Sequence, residues 1–517
     1  MESSKRRGSL VPFLILLIVL LLLAVVILFF RGDRSTPAPA AARQDDSVVA
    51  LTLLQLNDVY ELTPVGGGAE GGLARVAALR NELRRENPNT FTVLAGDLLN
   101  PSALSTAVVD GERLDGRQMV DVMNGILDYS TFGNHEFDLS QDHLTKRLAE
   151  SRFEWFSSNV TDTSGQPLPG IPKNVVFTVE NDAGEKVQVG MFGVTVASPT
   201  AAYVQYQNPI ETAREQVAEL RSEADIIVAV THLPVQDDVH LVQAVPGIDL
   251  VLGGHEHENM ELLRGPDLTP IYKADANART VQIHELRWDT EKEELSIVSL
   301  LRRVTDADPE DPETAKQVDR WVDAAFDGFR SQGFDPERVV ATVNEDLDGR
   351  ESSVRNHPTR LTDLIALSMV RAAPSSELAF FNSGSIRIDD VLPPGDVTEY
   401  DIIRILPFGG TVQQAQIRGD VLKQVLDQGR TGGGTGAFLQ TANVALSDNS
   451  WLVNGAPLDP ARNYSVALND FLLSGRANLP FLTRDNPGVT NVTDHGDVRK
   501  ALIAELEALP EEVDPAA

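Results

Sequence analysis

Two hydrophobic patterns alternate along most of this chain. Short β-branched apolar runs predict buried strands: VVALTLLQLN (48–57), TFTVLAG (90–96), KVQVGMFGVT (186–195), DIIVAVTH (225–232) and IDLVLGG (248–254). Between them, LARVAALRNELRREN (73–87), GRQMVDVMNGILDY (116–129) and IETAREQVAELRSEA (210–224) space apolar residues three or four apart, which predicts amphipathic helices. The alternation over 48–305 predicts a layered α/β domain with helices covering sheet. A polar-flanked helix at 310–333 lies within a connector, 306–338, and a smaller α/β unit follows over 339–517.

A third pattern is confined to residues 10–30, an apolar run without a single charge. About 20 such residues match the ~30 Å hydrocarbon core of a bilayer, so this run predicts a transmembrane anchor. Lys5, Arg6 and Arg7 in the flank 1–9 favour an N-terminus inside the cell, and 31–47, with Pro37 and Pro39, reads as a linker. The body would then be extracytoplasmic, in a periplasm or on the cell surface. Cleavage near Ala38–Pro39–Ala40 is the alternative.

Charge and composition narrow the chemistry. Lys plus Arg number 44 against 76 Asp plus Glu, a formal charge of −32, which disfavours a nucleic-acid polymer as partner. An anionic small substrate would need a local positive centre, from metal ions or aimed arginines. The absence of cysteine excludes disulfides, Cys-ligated zinc and thiol catalysis.

Polar residues recur where the strands end: Asp58, Asp97, then Asn134, His135 and Asp138 in FGNHEFD, then His232, His255 and His257. Open α/β sheets gather their sites beyond the carboxyl ends of strands, so these side chains are expected to converge. Carboxylates, imidazoles and an amide oxygen without sulfur suit Mn, Zn, Co or Fe. Singly, each residue reads as a turn or cap. Of nine histidines, however, four lie in these motifs; His143, His240, His284, His357 and His495 read as structural or exposed.

The ordered series D…GD…GNHE…H…GHxH resembles the calcineurin-like metallophosphoesterases. The C-terminal half resembles the domain that follows them in the 5′-nucleotidase / UDP-sugar hydrolase family, the likeness covering roughly 50–485. The resemblance implies a four-layer-type metallophosphoesterase sheet domain and then a smaller α/β nucleotide-binding domain, which the apolar run at 10–30 would precede as one N-terminal transmembrane helix. It also implies two divalent ions, the first on Asp58, Asp97 and His257, the second on Asp97, Asn134, His232 and His255. A water activated by the ions would attack phosphorus, with His135, oriented by Asp138, stabilising the developing charge. In the second half FFNSGSIR (380–387), ILPFGGTV (405–412) and NDFLLSG (469–475) carry the likeness. It implies that Arg355, Asn382 and Arg387 contact the nucleotide and that Phe408 and Phe471 stack on its base. The blander alternatives are a core-plugging Phe408 and an Arg387 paired to Asp389 or Asp390.

Two departures stand out. The family's Asp-x-His is Asp58-Val59-Tyr60 here, and a neutral phenol is a poor ligand for a divalent ion. Tyr60 then points away with water in the gap, or ligates a harder ion as phenolate, or only packs. Where relatives carry an Asp for ribose, this chain reads Leu473-Ser474-Gly475-Arg476-Ala477-Asn478, so sugar recognition differs and Arg476 is a candidate for extra phosphate charge. The expected function is a membrane-anchored, metal-dependent phosphohydrolase acting on nucleotides. The alternatives are a 2′,3′-cyclic phosphodiesterase, a nucleotide-sugar pyrophosphatase, a sulfur-ester hydrolase, or a non-catalytic nucleotide-binding surface protein.

Overall fold

A computed structural model describes residues 46–198 and 201–509. The anchor expected at 10–30, its basic flank and most of the linker lie outside the described residues. Among those described, no helix is long and apolar enough to cross a membrane.

Two six-stranded sheets lie face to face. The first has the order Glu294–Arg303, Thr280–Asp289, β1 (Val48–Leu56), β2 (Thr90–Leu94), Tyr129–Ser130, Glu154–Trp155. The second has the order Met260–Arg264, Thr269–Lys273, β4 (Leu250–Gly253), β3 (Ile226–His232), Lys186–Thr195, Asn174–Glu180. Strand alternation explains the layering. Val49, Leu51 and Leu53 of β1 face Val187, Val189, Met191, Val228, Val230 and Leu252 of the second sheet across one core. Leu54 and Leu56 face the other way and pack with Leu73, Val76 and Ala77 of helix α1 (Leu73–Glu86). On the far side Ala229 and Val251 pack under Ala213, Val217 and Leu220 of the helix Pro209–Leu220. Helix, sheet, sheet and helix make four layers.

One predicted element is shorter than expected. The helical pattern at 116–129 forms helix only over Arg117–Met123, because Asn124-Gly125 turns the chain out, and Tyr129 then pairs with β2 as a strand.

The second half is a five-stranded sheet in the order Leu439–Ala442, β5 (Leu378–Asn382), β7 (Asn463–Asn469), β6 (Thr411–Arg418), Val489–Asp497. The connecting helix α2 (Pro312–Ser331) ties the halves together. Trp321 donates its indole N–H to Asp121 at 2.8 Å on the first half. At its other end Phe326 and Phe329 pack on Tyr400, 4.9 and 6.4 Å between ring centroids, in helix α3 (Glu399–Ile405). Arg404 of α3 lies buried between Glu61, Asp390 and Asp401, at 3.5 Å from each. This ionic knot fixes one face of the second half against the loops that follow β1.

Candidate metal centre and nucleotide cleft

The chain leaves β1 and β2 through Asp58 and Asp97, both in the left-handed region at φ 53° and 60°, and His255 after β4 sits at φ 80°. Non-glycine residues hold such angles only where their surroundings enforce them, and such strain collects at functional sites. The enforcement is visible. The Asp58 and Val59 N–H groups donate to Gly96 and Asp97 carbonyls at 3.0 Å, and His255 N–H donates to Asp58 Oδ2 at 2.9 Å. The loops also touch too closely for side chains: a Cβ on Gly133 would lie 2.0 Å from Asp97 Oδ1, and one on Gly96 2.6 Å from His232 Nδ1.

These loops bring Asp58, Asp97 and His232 together, one ligand atom from each within 4.8 Å of the others. The His232 Nδ1–H donates to Ala95 carbonyl at 2.8 Å, which aims Nε2 inward, 3.3 Å from Asp97 Oδ2. Nε2 is also 3.9 Å from Asp58 Oδ1, so it stands in ion-pair range of both carboxylates, and neither it nor Asn134 Oδ1, both buried, makes a hydrogen bond. His255 stacks edge-on to His232, ring centroids 5.2 Å apart. Burial and the charge on His232 push His255 down to about 3, leaving its ring neutral with a lone pair to offer. Burial opposes charge on His232 as well, yet the Asp97 and Asp58 carboxylates raise it to about 9. Paired buried carboxylates thus hold a positive charge between them. A pocket that holds a proton on His232 between two carboxylates fits a divalent cation in that proton's place, which Asp97 and His232, with the neutral His255 and the Asn134 amide oxygen, would hold.

The Asp58 side is different. Tyr60 does not point away. Its hydroxyl donates to Asp97 Oδ2 at 2.9 Å and lies 3.2 Å from Asp58 Oδ1 and 3.3 Å from His257 Nε2. Nor does the phenolate form suit this place, since burial and the Asp97 and Asp58 charges raise the phenol well above its usual range. His257 is held from its other nitrogen by Asp389 of the second half, Nδ1 to Oδ2 2.7 Å.

His135 stands at the rim with Nδ1 2.6 Å from Asp138 Oδ2, while its backbone N–H donates to Asp97 Oδ1 at 2.9 Å. The sequence reading passed over Glu136. Its buried carboxylate accepts from the N–H groups of Asp97, Leu98, Leu99 and Gly133 at 2.6–3.1 Å and so fixes the loop that carries Asp97. Burial and the Asp97 charge push Glu136 up to about 7 against the pull of those amides. A carboxylate set beside Phe137 in a strand-end motif was the available signal.

In the second half Glu351 gathers the two arginines. It pairs with Arg355 and lies 3.4 Å from Arg387, and its other oxygen is 4.0 Å from His257 Nδ1. Arg387 therefore does not pair with Asp389, which holds His257, nor with Asp390, which meets Arg404 and the Gly66 N–H. Phe408 is 51 % exposed and Phe471 39 %, so neither plugs the core. Arg387 lies over Phe408 at 5.4 Å and Arg476 over Phe471 at 5.6 Å. The loops bearing the two rings touch where the Asp470 N–H donates to Thr411 carbonyl. Asn382 turns inward: its Oδ1 accepts from Asn469 Nδ2 at 3.0 Å and Ser385 Oγ at 2.9 Å, and it is nearly buried.

Comparison with known proteins agrees with this layout. Residues 51–259 match the family model for calcineurin-like phosphoesterases, and residues 339–484 match that for the 5′-nucleotidase C-terminal domain. A trifunctional nucleotide phosphoesterase protein of Bacillus subtilis is 25 % identical, the alignment covering 88 % of this chain and 34 % of that protein, so this chain spans about a third of its length. A 5′-nucleotidase of Vibrio cholerae is 24 % identical, with 88 % and 90 % covered. The crystal structure of a 5′-nucleotidase precursor from Thermus thermophilus superposes with a TM-score of 0.72 at 23 % identity, over 89 % of this chain and 96 % of that one, and so shares its fold. This chain belongs to the family of hydrolases in which a calcineurin-like metallophosphoesterase domain is followed by a 5′-nucleotidase C-terminal domain.

Proposed function

We propose that the chain releases phosphate from nucleotides by metal-dependent hydrolysis, residues 48–305 holding the ion, 306–338 connecting, and 339–517 holding the nucleotide. The observation that carries this reading is the convergence of Asp58, Asp97 and His232, with His232 Nε2 and Asn134 Oδ1 buried and making no hydrogen bond. A divalent cation held there supplies Lewis acidity toward a phosphoryl group and acidifies water. His135 serves the same phosphoryl group from the rim: with Nδ1–H donating to Asp138, its ring in the imidazolium form presents Nε2–H where negative charge grows. Arg355 and Arg387 sit on the cluster's flank and offer planar N–H forks to phosphate oxygens, for which Glu351 is the resident counter-charge. Phe408 and Phe471 present exposed faces to a base, which favours nucleotides over simple phosphoesters. Arg476, over Phe471, is a further cation for a longer phosphate chain.

The uncharged apolar run at 10–30 supports a membrane anchor with the body on the extracytoplasmic side. Protease treatment of intact cells tests this: digestion of the body is expected, and its protection would refute the orientation.

The catalytic test uses residues 46–517, stripped of metal and reloaded with Mn²⁺, Zn²⁺, Co²⁺ or iron. Phosphate release is followed from AMP, ADP, ATP, a 2′,3′-cyclic nucleotide and UDP-glucose, with a phosphatase added to reveal monoester products. Metal-dependent release from 5′-nucleotides, lost in His135→Ala, is expected. Nucleotide binding without turnover under every metal would replace the hydrolase with a binding protein.

A further inference from the structure

Resting on the metal-dependent reading above, we infer that this chain holds one divalent ion, on Asp97, Asn134, His232 and His255, and that the Tyr60 hydroxyl takes the place of a second. A cation site needs lone pairs that share a focus and are not already consumed. Asp58 Oδ1, Asp97 Oδ2 and His257 Nε2 do share a focus, and one oxygen of this chain already lies there, the Tyr60 hydroxyl at 3.2, 2.9 and 3.3 Å. A phenol has one O–H to donate and no strong lone pair to offer a divalent ion, so it donates to Asp97 Oδ2, while His257 Nε2 lies 3.4 Å from Asp58 Oδ1, and it does not stand in for an imidazole ligand.

The hydroxyl is not free to leave. Tyr60 is 4 % exposed, its backbone N–H donates to Asn277 Oδ1 at 2.9 Å, and its ring tilts against His257 with centroids 5.6 Å apart. His257 is pinned in turn by Asp389 on its far nitrogen, so its Nε2 stays 3.3 Å from the Tyr60 hydroxyl. On the opposite side Asn134 Oδ1 and His232 Nε2 are buried without a hydrogen bond, His232 Nε2 lying 3.3 and 3.9 Å from the Asp97 and Asp58 carboxylates. Positive charge on the Tyr60 flank comes from the protein instead, through Arg355 and Arg387, gathered by a Glu351 that reaches His257.

The test is an ion count that does not depend on turnover. Metal-free protein is equilibrated with Mn²⁺, bound manganese per folded chain is measured by elemental analysis, and its environment is read by electron paramagnetic resonance. One ion with the spectrum of an isolated Mn²⁺ is expected for the wild type. Tyr60→His is expected to take up two, with the spectrum of a spin-coupled pair. His257→Ala, made in the wild-type background in case Tyr60→His does not fold, is expected to keep one. Two ions on the wild type, loss of an ion in His257→Ala, or a folded Tyr60→His that stays at one would each overturn the inference and leave the hydrolase standing. No bound ion on the folded wild type would remove both.

Discussion

The two flanks of the strand-end cluster differ in one respect that decides what each can do. On the Asn134–His232 flank, Asn134 Oδ1 and His232 Nε2 are buried and make no hydrogen bond. On the Asp58–His257 flank, every convergent atom meets the Tyr60 hydroxyl, and the His257 ring is braced by Asp389 from the other half of the molecule. The residue types are nearly the same on both flanks. What distinguishes a ligand set from a scaffold is therefore the hydrogen-bond accounting: a buried acceptor left unsatisfied is costly unless something arrives to satisfy it.

The contrast is sharpest if one flank is dismantled at a time. His232→Ala should empty the ion position and lower kcat/KM on the order of 10³-fold, as loss of a central electrostatic group does. Tyr60→Phe removes only a neutral donor and should cost far less, so equal losses in the two variants would erase the distinction between the flanks. At the rim, His135→Ala should lower kcat about 10²- to 10³-fold with little change in bound metal, and Asp138→Asn should cost less, because it only misorients that ring. Further out, Phe408→Ala and Phe471→Ala should each weaken nucleotide binding by ~1–3 kcal/mol, read as a raised KM with kcat nearly unchanged. A fall in kcat alone would mean that the rings act in the chemical step.

The smallest expected effect concerns a buried histidine that is fully satisfied. His284 contacts Ser299 Oγ at 2.8 Å and Gln55 Oε1 at 3.0 Å, and burial pushes its ring down to about 3. The unfolded chain binds a proton near pH ~6.5 where the folded one does not, so its contribution is complete above ~6.5 and is lost as pH falls toward 3. In metal-free protein, urea unfolding at pH 8, 6 and 5 should show His284→Gln with a flatter acid slope, by at most about 1.4 kcal/mol per pH unit. An unchanged slope would show that His284 accepts a proton in the folded state.

Much of this was legible in the sequence, for a physical reason. Strand period and β-branched runs mark β1 to β4, and a polar residue just past an apolar run must lie at a strand end, so the sequence alone groups Asp58, Asp97, His232 and His255. What escaped depended on contacts between distant segments. The direction of the Tyr60 side chain is set by Asn277, Asp97 and His257, none of which is near it in sequence. The brace on His257 comes from Asp389, and the pairing of Arg355 and Arg387 through Glu351 depends on how their loops fold together. Asn382 shows the same limit, since a motif position fixes a residue type and does not say whether its amide faces a ligand or Asn469. The helix at 116 ended early because Asn124-Gly125 outweighed the apolar spacing that continues beyond it.

The most direct measurement is phosphate release from AMP as Mn²⁺ is added stepwise to metal-free protein at concentrations well above the dissociation constant. Activity absent without metal, rising linearly and saturating at one equivalent per chain, is the expected result. Saturation only at two equivalents would contradict a single ion beside Tyr60, and turnover undiminished in the metal-free protein would contradict the metal-dependent hydrolase itself.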